Sequence, residues 1–366
     1  MVETRSGRSV EPGDSPRGGS PERPARKDTA TTGGQGAGTP RRRRPGGAAR
    51  GEAAEPSGST QLTTSQSYTL LALELLVFAL PCIFSPKLAA RAAFGSAANP
   101  PEDQHTHVLG LLASGLLAAS AAAFALEECA RRGQAYLLTF TADTLKLGLV
   151  AFAAMNIVLQ FYYPRTLTAA AAIASSVAMC LLAALPASQL LVAPEDRARV
   201  WNDFRRLPGD LLSGTWLRRS SLPGALYMLL TIAFPAAGLA YFVAPNTTLY
   251  HTFGYIYGKS TAMVWKGIGA GLVTILPAIT YTLKDKAENE LLGRSIARTL
   301  NLGLMAASIG HLLVLGTVLN HGIGGFMLPA VTATWGTALL ASMAGLAAPE
   351  VAAIAEQTAE AARSMD

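Results

Sequence analysis

The chain has 366 residues and a formal net charge of +6; half of its residues are apolar and 15% are charged. A soluble all-helical protein needs amphipathic helices with a polar face, but stretches such as residues 169–191 carry no charged residue. This composition excludes an ordinary soluble protein and indicates an integral membrane protein. Despite the positive charge we expect no nucleic-acid partner, because no folded domain is predicted outside the membrane.

Residues 1–65 form the first predicted segment, a disordered basic tail. Residues 1–61 contain no Leu, Ile, Phe, Trp or Tyr, and such a segment cannot bury enough apolar surface to offset its chain entropy. The run Arg41–Arg44 is a solvated charge block, a contact for anionic lipids of the bilayer or a nuclear-type address, and the first is favoured.

Eight apolar stretches follow, each close to the roughly 20 residues that cross a bilayer. They are residues 68–85, 105–127, 135–161, 166–191, 222–244, 260–283, 291–318 and 325–347. The predicted fold class is therefore all-α, a polytopic membrane protein with about eight transmembrane helices.

The distribution of Lys and Arg between the loops predicts the orientation. With a cytoplasmic N-terminus, basic residues concentrate in the inner loops, as at Arg131, Arg205 and Lys284, and are sparse in the outer loops. The positive-inside rule then places both termini on the cytoplasmic side, or on the equivalent side of an organelle. Which membrane holds the protein is not indicated.

Two pairs of segments indicate an internal repeat. Residues 85–95 have the sequence SPKLAARAAFG and residues 244–254 have APNTTLYHTFG, so Pro, Phe and Gly coincide without a gap. Residues 144–151, TLKLGLVA, match residues 299–306, TLNLGLMA, at nearly the same offset.

The repeat divides the chain into two tandem halves of four spans each, which insert the same way up because four is even. Residues 66–192 form the first half and residues 222–348 the second. Residues 193–221 are the cytoplasmic linker, and residues 349–366 are a short C-terminal tail.

Each half resembles the DoxX-like class of small four-helix membrane proteins, including the tumour-suppressor-inducible four-helix type. The resemblance rests on a first span that ends in Pro, an aromatic-Gly turn and a Gly/Ser-rich second span. Those residues are Pro86, Phe94, Gly95 and Ser114–Gly115, and again Pro245, Phe253, Gly254 and Gly269–Gly271. The resemblance implies architecture and carries no catalytic motif.

The linker contains apolar residues every three or four positions at Val200, Phe204, Leu207 and Leu211. This spacing predicts a short amphipathic helix on the inner membrane face, where its arginines would meet anionic lipids. An ordinary linker is the alternative.

Polar and ionisable residues within spans are costly and mark candidate sites. Six such residues are candidates for a solute or ion pathway: Glu74, Asp143, Lys146, Asn156, Arg298 and His311. Asp143 and Arg298 occupy equivalent repeat positions, so we expect both to face the interior. They would pair across the repeat axis, or Asp143 would pair with Lys146 one turn away.

Small residues predict where helices approach closely, since dispersion rather than a hydrophobic driving force holds helices together in lipid. Gly267 and Gly271 form a Gly-xxx-Gly pair, Gly303 forms a similar pair with Ala307, and Gly115 is aligned with Gly271.

Two classes of function remain open. One is a transporter or channel-like protein for a small solute or ion, with its site between the halves. The other is a non-catalytic membrane scaffold or accessory protein. A membrane enzyme is less favoured, because no nucleophile or paired-carboxylate motif stands out. No cofactor or metal is expected, since the three cysteines have no paired spacing. The oligomeric state is not indicated.

Overall fold

A computed structural model describes residues 58–95, 102–191, 221–254, 258–320 and 324–363, with a few isolated positions between them. Within this part of the chain the secondary structure is helical and contains no strand. The helices are α1 (Gly58–Phe84), α2 (Pro86–Phe94), α3 (Glu102–Arg131), α4 (Gln134–Leu137), α5 (Phe140–Tyr162), α6 (Ala169–Leu191), α7 (Leu222–Val243), α8 (Pro245–Phe253), α9 (Lys259–Val273), α10 (Ile275–Glu288), α11 (Ser295–Asn320) and α12 (Leu328–Arg363).

Eight helical segments of the described chain are long and apolar enough to cross a membrane, which confirms the predicted number of spans. They are Thr63–Phe84, His105–Arg131, Phe140–Tyr162, Ala169–Leu191, Leu222–Val243, Lys259–Glu288, Ser295–Asn320 and Leu328–Pro349. Large apolar side chains such as Leu70, Ile173 and Leu313 are exposed on their outer surfaces. The bilayer accounts for these exposed residues, and the protein is an all-α, multi-pass membrane protein.

The sixth span differs from the continuous helix predicted over residues 260–283. It is interrupted at Thr274, which separates α9 from α10. Pro277 lies three residues further on; it has no N–H for the carbonyl of Val273 and its ring crowds that group. The interruption at Thr274 follows from this proline.

Both ends of the described chain are more helical than predicted. α1 begins at Gly58, inside the segment assigned to the disordered tail, and α12 continues to Arg363 through the predicted C-terminal tail. Extending an existing helix adds one hydrogen bond per residue without a new nucleus, so a span readily continues into polar flanks. The predicted disorder of residues 1–57, and most of the linker helix predicted over residues 193–221, lie outside the described residues.

The two halves share much of their pattern of packing. In the first half α1 packs along α3, and α5 packs along α6. In the second half α7 packs along α9 and α10, and α11 packs along α12. Between the halves α3 packs against α11, while α5 packs against α9 and α10. The second span of each half thus contacts the third span of the other.

The short helices α2 and α8 also have matching surroundings. Each begins at a proline and ends before a glycine with positive φ, Gly95 at 60° and Gly254 at 78°. The N–H of Thr168 donates to the carbonyl oxygen of Ala93 at 2.8 Å, which ties the start of α6 to α2. The N–H of Met327 likewise donates to a carbonyl oxygen of α8, at 2.9 Å. Each short helix is therefore bound to the start of the last span in its half.

Close backbone approach joins the halves where α3 meets α11. A Cβ placed on Gly303 would clash with the Cβ of Ala121, and one on Gly310 would lie 2.7 Å from the Ser114 hydroxyl. On the other side of the interface, a Cβ on Gly148 would lie 2.7 Å from that of Ala278. These positions have no room for a larger side chain.

The remaining predicted packing glycines are less tightly surrounded. A Cβ on Gly267 would lie 3.2 Å from Oδ1 of Asn156, and one on Gly271 would make an ordinary contact with Phe152 at 3.6 Å. Gly115 differs from the expectation, because a Cβ there would meet nothing within 4 Å. Its alignment with Gly271 therefore does not reflect a close helix contact.

Candidate functional site

A partly open cavity of about 550 Å³ lies mainly among the helices of the first half. α1, α2, α3, α5 and α6 form most of its wall, and Met263, Val264 and Gly267 of α9 contribute residues from the second half. Its volume falls within the range of small-molecule binding pockets, which is about 300–1,000 Å³.

Small side chains create this space. The face of α6 that is turned toward the cavity presents alanines at residues 170, 171, 174 and 178. α2 covers one end with Ala89, Ala93 and Phe94. α1 and α6 barely touch each other, whereas the corresponding helices of the second half, α7 and α12, pack closely. The cavity thus lies between two helices whose other faces are exposed to lipid.

Four polar side chains interrupt the otherwise apolar wall: Glu74, Asn156, Gln160 and Ser175. Asn156 donates from its side-chain amide to the carbonyl oxygen of Phe152 at 2.9 Å. Ser175 donates to the carbonyl oxygen of Ala171 at 2.7 Å, and the side-chain oxygen of Gln160 accepts from Ser176 at 2.5 Å. These contacts hold the polar groups in fixed positions along α5 and α6.

Glu74 is the ionisable group of this wall. It lies near the middle of the span Thr63–Phe84 and is half-buried. Among the described residues, no hydrogen bond or ion pair is formed by its carboxylate. Of the six predicted pathway residues, Glu74 and Asn156 are the two that the structure brings to one cavity.

The corresponding space in the second half is filled by aromatic rings. Counted back from the proline that begins each short helix, Phe234 corresponds to Leu75 of the cavity wall. The Phe234 ring lies 5.2 Å from that of Trp335, and the His311 ring stacks on Trp335 at 3.6 Å between centroids. Trp335 is the eighth residue of α12, and the eighth residue of α6 is the much smaller Ser176.

A second ring cluster fills the region next to α8. By the same count Tyr241 corresponds to Cys82, another residue of the cavity wall. The Tyr241 ring stacks on Trp265 at 4.1 Å, and Phe253 meets the same indole edge-on at 5.6 Å. Trp265 donates from its indole N–H to the Thr248 hydroxyl at 2.8 Å. At these two positions the second half carries larger side chains, Phe234 and Tyr241, than the cavity wall of the first half, Leu75 and Cys82.

The interface between the halves contains a space of about 10 Å³, bordered by Leu112, Gly271, His311 and Trp335 among others. His311 is buried, and its Nδ1 lies 3.2 Å from the carbonyl oxygen of Ala307. Its ring stacks on that of Trp335 at 3.6 Å between centroids, beside this small space.

The other predicted pathway residues lie apart from the cavity. Asp143 and Lys146 are buried and form an ion pair at 3.3 Å. The Arg298 side chain is exposed, so the expectation that it faces the interior is wrong. The local alternative, Asp143 with Lys146, is the arrangement found.

Several residues of the site were missed in the sequence. Nothing in an apolar span marks its uncharged or small residues as part of a site, and this applies to Gln160, Ser175 and the alanines of α6. A signal was nonetheless present: α6 begins with four alanines, whereas α12 carries Trp335 as its eighth residue.

Within the described part of the chain, no group of three or more His, Cys, Asp or Glu side chains is arranged to hold a metal ion. No protein-family model matches the sequence, and no curated protein matches it. The resemblance of each half to DoxX-like proteins stays a prediction.

Proposed function

We propose that the protein binds a small, mainly apolar molecule dissolved in the membrane, and that the binding site is the cavity of the first half. The observation that carries this proposal is the cavity of about 550 Å³ with an almost wholly apolar wall and a few fixed polar groups. That combination is typical of small-molecule sites, where apolar walls provide affinity and a few polar groups provide orientation.

The surroundings of the cavity support entry from the bilayer. α1 and α6 flank it and barely touch, and both expose large apolar residues, Val77 on α1 and Ile173 on α6. An apolar molecule could pass between these helices without crossing a polar barrier. On this proposal the protein is a ligand-binding accessory protein of the membrane, within the second of the two classes left open by the sequence.

The proposal includes an internal repeat. The matching order of helices, the reciprocal contacts between the halves and the similar surroundings of α2 and α8 support two parallel four-span units. The DoxX-like resemblance of each unit is part of the same proposal. On this proposal the first unit has an open cavity, and aromatic side chains occupy the equivalent space of the second unit.

Photolabelling with a small apolar diazirine probe tests the binding site. The protein is reconstituted in lipid vesicles, irradiated with the probe and digested, and the labelled peptides are identified by mass spectrometry. We expect labelling of residues that face the cavity on α1 and α6, and loss of that labelling in Ala174→Trp, which places an indole in the cavity. Ile173→Trp is the matched control, because Ile173 is exposed on the outer surface of the same helix. Equal labelling of both variants and the wild type would exclude the cavity as the site.

The alternative function, a transporter with its pathway between the halves, predicts a different result. Ile268 and Leu276 border the small space at that interface. In a variant without Cys82, Cys129 and Cys180, a cysteine at either position would react with a water-soluble maleimide if a polar passage opened there. We expect no reaction in intact vesicles, and rapid reaction would favour the transporter.

A further inference from the structure

We propose that the molecule bound in the cavity is a lipophilic amine, and that its ammonium group pairs with the carboxylate of Glu74. This inference rests on the proposed function and specifies the chemical class of the ligand.

The first argument is the isolation of Glu74. A charged group in the hydrocarbon region costs on the order of 3 kcal/mol, and such groups normally face a partner. Asp143 and Lys146 pair with each other at 3.3 Å, and the ammonium of Lys266 lies 4.9 Å from the centre of the Tyr162 ring. Glu74 has no such contact with the described residues, and it borders the cavity. A cationic ligand would supply the missing partner.

The second argument is the kind of polar atom that the wall offers. Asn156 uses an amide N–H on the carbonyl of Phe152 and retains its side-chain oxygen as an acceptor. Ser175 uses its hydroxyl proton on the carbonyl of Ala171. Gln160 retains both N–H groups of its side-chain amide, and Asn156 retains its second N–H. Together with the carboxylate, the wall is richer in acceptors than in donors, which suits an N–H bearing ligand.

The third argument is charge balance. An ammonium beside the Glu74 carboxylate forms a pair with no net charge, which an apolar cavity accommodates better than either ion alone. A carboxylate ligand would instead place two negative charges together. The apolar remainder of the ligand would lie along Phe78, Leu112 and Phe152 of the wall.

The test is competition against the diazirine probe by three compounds with the same hydrocarbon chain: dodecylamine, dodecanol and dodecanoic acid. Their concentrations are expressed per mole of zwitterionic vesicle lipid, so that partitioning into the membrane is removed from the comparison. With the wild-type protein we expect the amine to displace the probe at a concentration at least tenfold below that of the alcohol, and the acid to be weakest. In Glu74→Gln, the amine and the alcohol should differ by less than about threefold, while Glu74→Asp should retain part of the preference.

The outcomes separate this inference from the proposed function. If the alcohol competes as well as the amine with the wild type, or if the preference for the amine persists in Glu74→Gln, the assignment to a lipophilic amine is wrong although the cavity still binds. If labelling is unchanged by Ala174→Trp and none of the three compounds competes, the proposed function fails as well.

Discussion

The ammonium nitrogen of Lys146 lies 3.3 Å from the carboxylate of Asp143, one turn earlier in α5, and 2.5 Å from the carbonyl oxygen of Leu137. Both side chains are buried, with 1% of Lys146 and 7% of Asp143 exposed. Lys146 thereby links the start of α5 to the short helix α4, which contains Leu137.

Removing one member of this pair should destabilise the protein more than removing both. Asp143→Asn and Lys146→Met should each lower the free energy of unfolding by about 3 kcal/mol, because each removes the ion-pair partner of a buried charge. The double variant should lose less than either single variant. Unfolding by denaturant in mixed micelles measures the three values, and strictly additive losses would contradict the pair.

Arg298 provides the control for this experiment. Its side chain is exposed, so Arg298→Gln should change the free energy of unfolding by less than about 0.5 kcal/mol. A loss as large as that of Asp143→Asn would instead support pairing across the repeat axis.

Two glycines that the sequence marked for close helix packing should respond oppositely to alanine. Gly303→Ala should destabilise the protein by about 1–3 kcal/mol, since the new methyl group would collide with Ala121. Gly115→Ala should be neutral or stabilising by up to about 1 kcal/mol, because nothing lies within 4 Å and alanine favours the helix. Thermal unfolding of the two variants in the same detergent compares them, and equal effects would disprove the close contact of α3 with α11.

Three aromatic rings should stabilise the ammonium group of Lys266 within its span. Its ammonium lies 4.9 Å from the centre of Tyr162, 5.4 Å from Phe242 and 5.6 Å from Tyr163, within cation–π range. A double-mutant cycle with Lys266→Met and Phe242→Leu should give a coupling energy of about 1 kcal/mol. The same cycle with Lys266→Met and Phe326→Leu, a ring elsewhere, should give none.

The orientation in the membrane remains to be measured. The positive-inside rule predicts that reporters fused after residues 60, 205 and 360 lie on one side, equivalent to the cytoplasm, and that a reporter near residue 250 lies on the other. Protease protection of the fused reporters reports the side, and any other pattern would contradict the eight-span topology with both termini inside.

The spans were predictable because length and apolar composition decide membrane insertion residue by residue, without knowledge of neighbouring helices. The cavity could not be predicted in this way, because it depends on which helix faces meet. The alanines of α6 line a cavity only because α1 lies apart from them. Arg298 is a second feature that depends on which helix faces meet. Its alignment with Asp143 says nothing of the rotation of α11 about its own axis, which is set by contacts such as Gly303 with Ala121.

The tight contact of α3 with α11 has a mechanical consequence. At Gly303 and Gly310 the two helices already touch, so they cannot slide or rotate past one another without steric overlap. We therefore expect the two halves to move together where α3 meets α11. Motion that admits a ligand is left to α1 and α6, where α6 would carry α2 with it through the hydrogen bond from Thr168 to Ala93.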